Sequence, residues 1–216
     1  MGKTTAIVGM SGSGKTTIIK LLLRFYEVQH GDIYVGSTHL SQMGFSFWRN
    51  QCGVVTQDGF IFSDSIARNI AVGDQYPDHT RLQQALKVAN ITDFIKSLPL
   101  GLNTKIGSEG NGISQGQKQR ILIARAVYKD PHYLFFDEAT NALDARNESV
   151  IMDNLESFFK GRTVVVVAHR LSTVKNADNI VVLDKGRILE EGTHAELTAL
   201  KGEYYQLVKN QLELGN

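Results

Sequence analysis

Gly9-Met10-Ser11-Gly12-Ser13-Gly14-Lys15-Thr16 stands between an apolar run, Ala6-Ile7-Val8, and a helix-like stretch over residues 17–24 that is rich in isoleucine and leucine. Strand, glycine-rich turn and helix in that order describe a phosphate-binding loop. Glycines let backbone N–H groups crowd round phosphate oxygens, and the helix that follows aims its N-terminal N–H groups and positive dipole end at the same point. The pattern predicts that Ser11, Gly12, Ser13, Gly14, Lys15, Thr16 and Thr17 surround the phosphates of a nucleoside triphosphate. Lys15 then reaches the β and γ phosphates, and Thr16 a Mg²⁺ ion. A glycine-rich turn is sometimes only a tight connection; the strand and helix on either side favour the phosphate reading.

Chemistry on the nucleotide needs a second strand that delivers carboxylates. Tyr133-Leu134-Phe135-Phe136-Asp137-Glu138 supplies one. Four apolar residues running into two acids describe a buried parallel strand whose carboxyl end opens at the sheet edge, where ligands bind in open α/β sheets. Asp137 is assigned to the metal, through a water, and Glu138 to the general base that activates the attacking water. An isolated acidic pair would more often cap the next segment. With Lys15 upstream, the catalytic reading takes precedence.

Length and composition point to a single domain over residues 1–216, with 42% hydrophobic residues and enough chain for a sizeable core. No stretch approaches the roughly 18 apolar residues of a membrane helix, and the start carries no signal-peptide pattern. Met1-Gly2 is not read as a myristoylation signal, because Ala6 stands where serine or threonine is needed. The single Cys52 suits a reducing compartment, and a net charge of +1 without a clustered lysine and arginine face gives no basic footprint for nucleic acid. Strands are predicted over 6–9, 53–56, 133–137, 163–168 and 180–183, forming a largely parallel sheet. A short turn-bounded strand is expected at 31–36, helical structure over most of 65–98, and helices over 145–159 and 203–214.

Ile113-Ser114-Gln115-Gly116-Gln117-Lys118-Gln119-Arg120, followed by helical-looking residues 121–129, resembles the signature of the ATP-binding-cassette (ABC) ATPase domains. The family pattern is LSGGQ; Ser114, Gly116 and Gln117 match, and Gln115 replaces the first glycine. Ser114 also suits a plain helix N-cap. Further matches fall in the family's order. Gln57 takes the Q-loop place, implying contact with Mg²⁺ and the transport partner. Asn141-Ala142-Leu143-Asp144 resembles the D-loop, with asparagine where serine is usual, and His169 takes the switch-histidine place. A lone histidine at a strand end is more often structural. The resemblance instead implies that His169 contacts the γ-phosphate and holds the attacking water and Glu138 in line.

The resemblance implies an α/β fold: a P-loop NTPase core with a small antiparallel β part and an inserted helical subdomain at about 65–130. Residues 61–70, 104–110, 169–178 and 191–197 look like exporter stretches, though Ser108 stands where a glutamate is usual. The wording around 114–126 is similar to bacterial peptide and bacteriocin exporters. The expected activity is that of a Mg²⁺-dependent ATPase that forms a head-to-tail homodimer on ATP. It would power export through a fused or associated transmembrane domain at the cytoplasmic face of the membrane. Only eight residues precede Gly9, so the family's upstream antiparallel strands and adenine-stacking aromatic are expected to be missing. The alternative is a mechanical cassette ATPase acting on nucleic acid, disfavoured because no coiled-coil arm separates the phosphate loop from the signature. A small-molecule kinase would leave Ser114 to Gln117 without a purpose, and an importer subunit would leave the exporter-like stretches so.

Overall fold

Uninterrupted apolar runs such as Val164-Val165-Val166-Val167 belong in strands buried on both faces, because two branched carbons on Cβ fit a pleated surface and leave no polar edge for water. The computed structural model describes residues 2–56, 58–108, 110, 112–140, 142–168 and 174–214. Along these residues, β1 (Thr4–Val8) leads into α1 (Lys15–Leu22), the pair β2 (Tyr34–Val35) and β3 (Thr38–His39), α2 (Phe45–Gln51) and β4 (Cys52–Val55). Next come β5 (Asp64–Ser65), α3 (Ile66–Ile70), α4 (His79–Val88), α5 (Thr92–Ser97), β6 (Lys105–Ile106) and α6 (Gln115–Tyr128). The remainder is β7 (Tyr133–Asp137), α7 (Ala145–Phe159), β8 (Thr163–Val167), β9 (Asn179–Asp184), β10 (Arg187–Gly192), α8 (His194–Leu200) and α9 (Glu203–Leu214). The chain divides into two compact units, one of Met1–Cys52, His132–Asp137 and Gly161–Asn216, the other of Gly53–Pro131 and Glu138–Lys160.

In the first unit the strands run β10-β9-β1-β8-β7. β1 lies parallel to both β8 and β9, and β7 parallel to β8. The sheet is thus largely parallel, as expected, but the expected strands end at β9. β10 adds an antiparallel edge with a register irregularity between Ile188 and Glu190. Its charged, mostly exposed residues blunt that edge against further pairing. α2 secures the far end of α1: Trp48 Nε1 donates to Leu22 O at 2.8 Å, and Arg49 donates to Leu23 O at 3.4 Å and Arg24 O at 3.1 Å. These are carbonyls that the end of a helix leaves unsatisfied. The Glu190 carboxylate accepts the N–H groups of Glu203 at 2.6 Å and Tyr204 at 3.0 Å, which starts α9.

The second unit is built round α6. Its buried residues include Gln119, Ile121, Leu122, Ile123, Ala124, Ala126 and Val127, so it is covered on several sides rather than along one stripe. Ile66, Ile70, Leu82 and Leu86 from α3 and α4 are buried with them. The helical region expected over 65–98 is three short helices. Gly73, with φ +84°, interrupts it, and Asp78 restarts it by accepting the Arg81 N–H at 2.8 Å as N-cap of α4.

Candidate functional site

The glycine-rich loop leaves β1 at Gly9, whose φ is +151°. A Cβ there would sit 2.1 Å from Leu183 O and 2.9 Å from Ser13 Oγ, so only glycine lets the loop pass β9 this closely. The loop is also held by Gly186, in the β9–β10 turn, whose N–H donates to Ser13 O at 2.9 Å. Lys15 is 6% exposed, and its Nζ donates to Gly9 O at 2.8 Å and Met10 O at 3.0 Å. The ammonium is therefore folded back over the loop that precedes it. Ser13 Oγ is buried and without a hydrogen-bond partner among the described residues, while Ser11, Gly12, Thr16 and Thr17 are not buried. α1 starts at Gly14 with no side-chain cap and no acid in its first turn, which leaves its N–H groups open to an anion.

Strand register carries Asp137 to the same edge. Asp137 lies beside Val167 of β8, which in turn lies beside Ile7 of β1. Two strand spacings, about 10 Å, therefore separate the carboxylate strand from the one that feeds the loop. Asp137 is 6% exposed. Thr16 and Asp137 offer a hydroxyl and a carboxylate oxygen, the hard donors that Mg²⁺ takes. Because Mg²⁺ keeps waters and phosphates as ligands, it needs no larger protein cage, and the described residues hold no group of three or more His, Cys, Asp or Glu arranged as one. Glu138 comes next with φ +52°, a left-handed turn for a residue with a Cβ. Such strain costs about 1–3 kcal/mol and collects at functional sites. Gln57 and His169, two residues past the ends of β4 and β8, lie outside the described residues.

In the second unit, Ser114 caps α6. Its hydroxyl accepts the Gln117 N–H at 3.2 Å, and Gln117 Oε1 accepts the Ser114 N–H at 2.8 Å. This reciprocal box orients the first turn without placing an acid in it, whereas α7, α8 and α9 each carry a glutamate there. Gln115 is exposed. Gly116 packs on the segment expected to be the D-loop: an added Cβ would lie 3.3 Å from Ala142 O. Asp144, two residues on, is the N-cap of α7. Hydrogen bonds from the Asn147 side chain (2.6 Å) and then its backbone N–H (3.0 Å) hold its carboxyl below the usual range. Arg120 has its guanidinium pushed down by burial, an effect countered by the Asp144 charge. Two motifs some thirty residues apart in sequence thus form one surface.

Sequence reasoning missed the brace from Gly186 and the packing of Gly116 on Ala142. A Lys-Gly turn between strands was the signal for the first; nothing local marks the second. The sequence pattern of the family described as "ABC transporter" matches residues 1–141. The chain is 47% identical over 210 residues to an ATP-dependent lipid A-core flippase of Saccharophagus degradans, covering 97% of this chain and 36% of that protein. It is 46% identical over 210 residues to ABC transporter B family member 2 of Dictyostelium discoideum, covering 97% of this chain and 15% of that one. The fold matches a bacterial Atm1-family ABC exporter solved with ATP bound, at TM-score 0.93 and 41% identity, over 98% of this chain and 37% of that chain. The chain therefore spans about a third or less of the curated relatives' length. On the matched pattern, these identities and the shared fold, the chain is an ABC transporter domain homologous to those of ABC exporters and belongs to the ABC transporter family.

Proposed function

We propose that this chain is an ATPase domain that binds Mg-ATP at the loop of residues 9–17, dimerises head to tail on it, and powers export through a transmembrane domain at the cytoplasmic face of a membrane. The observation that carries the reading is the loop itself: a buried Lys15 ammonium drawn over Gly9 and Met10, in front of a helix start free of acids. Lys15 meets the β and γ phosphates, and Ser11, Gly12, Ser13, Gly14, Thr16 and Thr17 supply backbone and hydroxyl contacts. Thr16, Asp137 and Gln57 hold Mg²⁺, which when bound neutralises developing phosphate charge. Glu138 takes the proton of the attacking water, and His169 keeps that water in line. Ser114, Gly116 and Gln117 face the nucleotide of the partner copy, with Asp144 beside them. An acid-free, boxed helix start suits that role as well as the structural one.

Hydrolysis removes the phosphate that bridges the two copies, so binding energy becomes a conformational change passed to the membrane part. The resemblance around 114–126 makes a peptide the cargo class to try first. A net charge of +1 and the names of the relatives leave the nucleic-acid alternative unsupported. The test is light scattering on size-exclusion chromatography of Glu138→Gln. Mg-ATP should double the measured mass, and in the parent the ATPase rate per chain should rise with protein concentration. A monomer that still binds ATP, with a rate independent of concentration, would refute the composite site.

A further inference from the structure

Arg125, on α6, is a charged side chain mostly removed from water, and no carboxylate pairs with it among the described residues. Its Nε donates to Asn69 O at 2.7 Å, its Nη2 reaches Asn69 Oδ1 at 3.4 Å, and the guanidinium lies 5.4 Å from the Phe62 ring centroid. Burial holds the guanidinium below its ordinary value, the direction expected where no counter-charge repays desolvation. A buried cation of this kind is weak as a source of stability, since an apolar side chain of similar volume would serve at least as well. What it supplies is direction.

Asn69, 0% exposed, carries that direction onward. Its Oδ1 accepts the Phe62 N–H at 2.8 Å, and its Nδ2 donates to Phe62 O at 3.0 Å, Ser65 O at 3.1 Å and Asp64 O at 3.3 Å. One side-chain amide thus pairs with both backbone groups of residue 62, as a neighbouring strand would. The same segment is gripped from behind. β5 pairs with β6, Ser63 Oγ lies 2.8 Å from Ser108 Oγ, and Gly107 approaches so closely that a Cβ would come within 2.9 Å of Phe62 O. Residue 62 is five positions after Gln57, and Arg125 is eleven positions after Ser114, about 16 Å along a rigid helix.

We propose that Arg125 and Asn69 are positioning residues that lock the segment 60–65 to α6, so that a shift of the Ser114 end of the helix on ATP binding moves the backbone that comes after Gln57. This rests on the nucleotide reading of the loop at residues 9–17. The lock is discrete because directional hydrogen bonds between packed elements have few alternative arrangements, whereas an apolar contact would slide. Phe60 and Phe62, exposed and edge-to-face at 5.1 Å, travel with the segment.

The experiment places a nitroxide on Phe60→Cys in the full chain, with Glu138→Gln to retain ATP; Cys52 is buried and left in place. The spin-label line shape should change on Mg-ATP. In Arg125→Lys, which keeps the charge but loses the planar fork that reaches Asn69 O and Oδ1 together, the change should fall at least twofold, and in Asn69→Ala it should vanish, with ATP affinity within twofold of the parent and the far-ultraviolet circular dichroism unchanged. A full-sized response in both variants overturns the proposal, as does a parent that binds ATP without any response at position 60. Should Asn69→Ala not fold, Arg125→Lys decides alone. A parent that fails to bind Mg-ATP refutes the nucleotide reading itself, a result read directly from the binding arm.

Discussion

Gly9→Ala and Gly12→Ala separate two roles of loop glycines. At Gly9 the new Cβ would lie 2.1 Å from Leu183 O, about 0.9 Å closer than the 3.0 Å that real Cβ atoms respect, and the obstacle is backbone of a strand paired with β1. Neither partner can give without disturbing the sheet. Overpacking of that kind costs about 1–3 kcal/mol, and a positive φ for alanine about 1–3 kcal/mol more. Gly12, at φ +79°, has nothing within 4 Å of a Cβ, so it carries the backbone cost alone, about 1–2 kcal/mol. For a chain of this size each kcal/mol lowers Tm by roughly 2–4 °C. Gly9→Ala should therefore melt roughly 4–24 °C below the parent and Gly12→Ala roughly 2–8 °C below it. Differential scanning calorimetry without nucleotide measures both. Equal Tm losses in the two variants would refute the reasoning, because the Leu183 carbonyl would then not confine the loop.

Ser114→Ala removes the hydroxyl that accepts the Gln117 N–H at the start of α6, while the residue 114 backbone N–H can still donate to Gln117 Oε1, and should cost about 1 kcal/mol, a fall in Tm of roughly 2–4 °C, whereas Ser114→Thr should be nearly neutral in the same thermal scan. At the end of α6, the Tyr128 hydroxyl donates at 2.5 Å to the carboxylate of Asp74, in the loop that joins α3 to α4; that hydrogen bond is the main reason the carboxyl lies below its ordinary 3.8, so its contribution is present above that value and fades as pH falls below it. The urea midpoint of Asp74→Asn should accordingly lie below the parent's at neutral pH and converge with it in acid. Tyr128 is raised above its ordinary 10.0, mainly by burial, so its contribution persists to pH 10 and is lost as pH rises further.

The parallel strands are legible in sequence because burial on both faces demands unbroken apolar runs, and Ala6-Ile7-Val8 and Val164 to Val167 have no other comfortable home. β10 is hidden by Glu190 and Glu191, which resemble loop residues until Glu190 is seen capping α9. The sign of it lay in Lys185-Gly186, with φ of +46° and +77°, the left-handed pair a tight hairpin requires. The loop of residues 9–17 and the carboxylate strand announce themselves through composition. Asn69 and Arg125 do not, because an asparagine in a short helix and an arginine among alanines look like surface residues until the chain brings them together across 56 positions.

β1 is flanked on one side by β8 and on the other by β9, and its loop rests on the turn that comes after β9. On the ribosome the nucleotide loop emerges well before the strands and turn that shape it, which arrive more than 150 residues later. At about 5–20 residues per second, that is a delay of roughly 8–35 s. During that interval the loop lacks its brace, and ATP cannot template the folding of its own pocket. Nucleotide capture is therefore a late event in the life of the nascent chain, and a chain stalled before Asp184 would carry an intact phosphate motif without the Gly186 turn that braces it.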